Sequence, residues 1–79
     1  MTLNKTNLYK NLYQALELKY KAEIQAAKST ILIYFQNPCG IGEHPQHLEE
    51  IDKQLEKISS AKDKLSALTS NFSLNDNVD

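Results

Sequence analysis

Residues 37–45, Asn37-Pro38-Cys39-Gly40-Ile41-Gly42-Glu43-His44-Pro45, divide the chain into two stretches with helical periodicity. Asn-Pro is a turn signal, and the residue before a proline is turned away from helical geometry. Gly40 and Gly42 supply backbone freedom within the turn. Pro45 suits the first turn of a following helix, where its missing N–H costs nothing. A break of this kind between two long periodic segments predicts a helical hairpin.

Before the break, Tyr9, Leu12, Tyr13, Leu16, Tyr20, Ile24, Ala27, Ile31 and Tyr34 recur at spacings of three or four, with one adjacent pair. That is the helix period, and it predicts a helix from about residue 7 to 36, with Thr6 or Asn7 as its N-cap. Leu8, Leu18, Ile33 and Phe35 fall off this stripe. A helix with apolar groups on more than one face needs more than one neighbour. After the break, Leu48, Ile51, Leu55, Ile58, Ala61, Leu65, Leu68 and Phe72 make one clean face. This predicts a second helix from about 45 to 71, with Glu49 and Glu50 placed to meet the positive end of its dipole. Residues 73–79 read as a polar, disordered tail. The expected fold class is all-α: two long antiparallel helices over residues 1–72, assembling into a homo-oligomer.

Size supports the same expectation. Seventy-nine residues make one small domain. Folds of this size are reinforced by disulfides, a metal or self-association. Cys39 is the only cysteine, so no disulfide forms within the chain. Cys39, Glu43, His44 and His47 lie close together, but their spacing fits no common zinc pattern. The remaining route is association with further copies.

Charge and hydropathy exclude several classes. The longest apolar run is Ile31 to Phe35, far short of a membrane span. Met1 to Lys5 carry no apolar signal-peptide core, which makes the cytoplasm the expected compartment. The net charge is −1 and there is no arginine, a composition unsuited to general DNA or RNA binding. The charge is divided. Residues 1–36 carry five lysines and two glutamates, and residues 37–79 carry four lysines and eight acids. Opposite balances favour antiparallel pairing, and the lysine-rich helix is suited to an anion. Catalysis is not expected, because no nucleophile is paired with a base. Gly40-Ile41-Gly42 before a helix has the outline of an anion cradle, but lacks the strand, third glycine and lysine of phosphate-binding loops. Tyr13 and Tyr20 share a face of the first helix, with Lys28 close to it. Tyrosine stacks on bases and lysine meets phosphates, but from spacing alone the better reading is that the tyrosines fill the core and Lys28 is solvated.

The loop Asn37 to Pro45, set between a long tyrosine-bearing helix and an amphipathic one, resembles that of a phage immune-evasion family. Its members are the small helical sponges that sequester the cyclic oligonucleotide signals of CBASS defence; a related branch sequesters the cyclic ADP-ribose signals of Thoeris. The resemblance covers roughly Asn7 to Phe72, and the nine-residue loop is its specific part. It implies a homohexamer of hairpins with ligand pockets between chains, no cofactor and no catalysis. In that family a tyrosine early in the long helix stacks on a base, and a lysine followed two residues later by a threonine contacts the ligand. Tyr13, Lys28 and Thr30 keep that order and spacing, so the resemblance implies these roles for them. Cyclic dinucleotides are the foremost ligand implied. Cyclic trinucleotides would occupy a second type of pocket needing basic residues of the second helix, to which no residues are assigned. The reading from another class is a structural hairpin or adaptor with no small-molecule ligand.

Overall fold

A computed structural model of the chain describes residues 5–36 and 47–74. Two α-helices make up the described part: α1, Lys5–Gln36, and α2, His47–Asn71. They pack against each other along their length as an antiparallel pair. Tyr34, near the end of α1, meets His47 at the start of α2 with ring centroids 5.7 Å apart. At the other end, Tyr9 Oη donates a 2.8 Å hydrogen bond to the Ser73 carbonyl. The chain is long and thin, 56 × 27 × 14 Å.

The two most buried residues between the helices are small ones. Ala27 and Ala61 are each only 2% exposed. Small side chains at buried positions allow close helix packing, and Tyr13 and Ile31 are the other buried residues of the α1 face. Tyr9, Tyr20, Ile24 and Tyr34 of α1, with Ile51, Ile58, Leu65 and Leu68 of α2, are half-buried. The Tyr9 and Tyr13 rings stack with centroids 6.3 Å apart.

Two of the nine residues expected in the α1 core are not there. Leu12 and Leu16 are 57% and 38% exposed. At ~100° per residue, both lie to one side of the direction set by Tyr13, Ala27 and Ile31, so a single partner helix leaves them in the open. Leu48, Leu55 and Phe72 of the α2 stripe are exposed for the same reason or because they lie at the ends. Leu8, Leu18, Ile33 and Phe35 are exposed, as is Leu32.

The helix ends differ in detail from expectation. α1 starts at Lys5, so Thr6 and Asn7 lie within its first turn instead of capping it. Residues 37–46, which include the expected loop 37–44 and the start of the second helix at Pro45, lie outside the described residues. α2 has Glu49 and Glu50 in its first turn. It ends without a glycine; side chains serve its last carbonyls instead. Thr69 Oγ1 donates to the Leu65 carbonyl, Ser70 Oγ to that of Ser66, and Asn71 Nδ2 to that of Ala67. The Phe72 N–H closes the last turn on the Leu68 carbonyl. Ser73 and Leu74, assigned by sequence to the polar tail, are half-buried. The rest of that tail, residues 75–79, lies outside the described residues.

Among the described residues, no helix is long and apolar enough to cross a membrane.

Candidate functional site

Helical geometry separates the three candidate residues. Tyr13 and Lys28 are fifteen positions apart on one continuous helix, about 22 Å along its axis. Tyr13 is buried in the seam, 8% exposed, with its ring against Tyr9. Lys28 is exposed on the edge of α1. Thr30 is half-buried on the other side, and its hydroxyl donates a 3.0 Å bond to the Ala26 carbonyl one turn back. Lys28 and Thr30 point about 200° apart around the helix. One chain therefore does not bring the three side chains to a common point.

One of them does line a cleft. A depression of about 740 Å³ runs between the helices on one side of the hairpin. Ala27 and Ala61 line it, together with Ala26 and Thr30 from α1. The α2 wall carries Lys53, Lys57 and Lys64, with Gln54 and Ser60 between them; Glu23 and Glu56 are the acids. Tyr13 and Lys28 are not part of its lining. Its volume falls in the range of small-molecule sites, but it is a shallow groove and not an enclosed cavity.

The charges along the cleft are partly committed. Lys19 Nζ lies 2.8 Å from Glu23 Oε2. The hydrogen bond to Glu23, with its charge, raises the Lys19 pKa. The same hydrogen bond is the main cause that holds the Glu23 carboxyl below its ordinary value, and Lys64 across the cleft adds to it. Lys53 pairs with Glu50 at 3.3 Å. Lys57 has no ion-pair partner among the described residues. Sequence reasoning assigned no role to Lys53, Lys57 and Lys64. Their i, i+4, i+11 spacing places them on one edge of α2, and that signal was there to be read.

Cys39, Glu43 and His44 lie outside the described residues, as does the Gly40-Ile41-Gly42 segment. Among the described residues, no three His, Cys, Asp or Glu side chains are grouped as metal ligands would be. His47 packs its ring edge against Tyr34, and its Nε2 is buried without a hydrogen-bond partner among the described residues. No family model matches the chain, and no curated protein or solved structure matches it either.

Proposed function

We propose that the protein is a non-enzymatic sponge of a phage, working in the cytoplasm of the infected cell. It binds cyclic oligonucleotide second messengers, cyclic dinucleotides foremost, and holds them intact so that CBASS effectors are not activated. Its binding sites lie between copies of the chain in a homo-oligomer, six in the arrangement the resemblance implies. Tyr13 contributes a base-stacking face, Lys28 a phosphate contact and Thr30 a hydrogen bond.

The observation that carries this reading is the spread of the three residues over different sides of one helix. Each meets a ligand only if neighbouring hairpins complete the site, and α1 leaves large apolar side chains open to such neighbours. Lys28 is exposed and has no ion-pair partner among the described residues, as a phosphate contact requires. Sequestration is stoichiometric, so it needs tight burial and many sites, not turnover.

A second reading is favoured by the burial of Tyr13 against Tyr9. Tyrosines in the seam serve a structural hairpin or adaptor that takes no ligand. Calorimetry with cyclic dinucleotides of both linkage types separates the two. The sponge binds, and intact ligand is recovered on denaturation. Lys28→Ala abolishes binding and leaves oligomer size and melting unchanged. No binding at micromolar ligand rules for the structural reading.

A further inference from the structure

We infer that the outer face of α1 is a two-fold seam that pairs with α1 of a second copy, antiparallel and in one register. The inference rests on the proposed self-association and specifies its surface.

The face is a second periodic stripe, distinct from the one buried against α2. Positions 8, 12, 15, 19, 22, 26, 29 and 33 alternate spacings of four and three over the whole helix, and all eight are exposed. A strict 3.5-residue repeat is the pattern of a helix that winds against another helix. Leu8 and Leu12 stand at one end and Ile33 at the other, with Ala15, Ala22 and Ala26 between them. Large groups at the ends and alanines in the middle allow close approach at the centre and interlocking beyond it.

The order of residue types picks out the partner. Two copies of the stripe laid antiparallel, with facing residue numbers adding to 41, set Ile33 against the partner's Leu8. The same register sets Ala15 against the partner's Ala26 and Leu12 against its Ser29. Each contact recurs by symmetry, as an isologous pair requires. Charge selects the direction. Parallel pairing would put Lys19 against Lys19 in the middle of the seam. Antiparallel pairing sets Lys19 over an alanine and beside the partner's Glu23. Within one chain these two residues are already bonded at 2.8 Å. The pair of hairpins thus carries a central rung of four alternating charges. The α2 surface offers no comparable apolar stripe, since its outward positions are mostly Lys, Glu, Asp and Ser.

Cross-linking of the full chain, with Cys39→Ser removing the native thiol and no nucleotide present, tests the seam. Positions 15 and 26 of one helix are ~16 Å apart and are not joined within a chain. The double variant Ala15→Cys, Ala26→Cys should therefore oxidise to a covalent dimer linked 15 to 26 by mass spectrometry. The pair Ala26→Cys, Ile33→Cys should not link, because the antiparallel register keeps both positions far from either one in the partner, whereas parallel pairing would join 26 to 26 and 33 to 33. A failure of the first pair, or a dimer from the second, overturns the seam. In parallel, Ala15→Glu should weaken association at least ~10-fold by sedimentation with helicity unchanged, since it buries a charge beside the partner's Glu23; unaltered association also overturns it. A chain that links as expected but ignores nucleotide fails only the sponge reading. One that binds nucleotide without the 15-to-26 link fails only the seam. A wild type that sediments as a folded monomer ends both.

Discussion

Ala27→Glu is the substitution whose cost follows most directly from the packing. Ala27 is 2% exposed and lines the groove between the helices, as Ala61 does. A glutamate there brings two further methylenes and a carboxylate into a space fitted to a methyl group. Overpacking of this kind costs about 1–3 kcal/mol. Desolvating the charge adds several more before relaxation and before any pairing with the lysines of the groove. We take about 3–5 kcal/mol as the net. A chain of this length has roughly 4–12 kcal/mol of stability in all. At about 4–8 °C per kcal/mol, melting should fall by at least ~12 °C, or the hairpin should not form. Ala67→Glu is the control: the same change, in a helix, at an exposed position. Surface changes of that type stay within about 0.5 kcal/mol. Circular dichroism melts of both variants at one matched protein concentration give the comparison, because association makes melting depend on concentration. Equal melting temperatures for the two would refute the packing argument, since burial at position 27 is the only difference it invokes.

Further outcomes follow from single contacts. Tyr9→Phe removes the donor to the Ser73 carbonyl and keeps the ring stacked on Tyr13, so it should cost about 0.5–1.5 kcal/mol in thermal melts, with faster amide exchange at the end of α2. The Glu23 carboxyl titrates below its ordinary value because Lys19 bonds to it. Its contribution is therefore present above the ordinary carboxylate range and is lost as pH falls through the lowered value. A side-chain NMR titration should show that lowered midpoint in the wild type and its return toward normal in Lys19→Ala; an unchanged midpoint would contradict the pairing. Tyr34→Ala should loosen the turn end, moving the His47 ring resonances while leaving those of Tyr9 in place.

The hairpin was legible because periodicity and punctuation agree. The two stripes, the end of α1 at Gln36 and the end of α2 at Asn71 follow from residue spacing and the turn signals beyond it. Leu12 and Leu16 were misplaced because they sit at helical spacing from true core residues yet lie on the flank of the stripe. Spacing alone does not say how wide a face one partner covers. The two most buried residues, Ala27 and Ala61, stood in the stripes without distinction, since small residues carry little hydropathy and their importance is geometric. Of the site, the positions of Tyr13, Lys28 and Thr30 on one helix were readable. Their separation around and along it was readable too, from rise and turn. The burial of Tyr13 was readable as well, since it stands in the α1 stripe at helical spacing from Ala27 and Ile31. The lysines of the cleft went unassigned because the groove they line exists only once two helices meet.

α1 has α2 packed along one side and, in the inferred assembly, a second copy along another. Ala27 is buried between the helices, and Ala26, its neighbour, is exposed at the rim of the groove. A substitution that enlarges either wall presses on the same backbone, so the two broad surfaces cannot drift independently. Only the narrow margin bearing Lys10, Lys21 and Lys28 is exempt from both. There a sequence can change its charge without redrawing the scaffold.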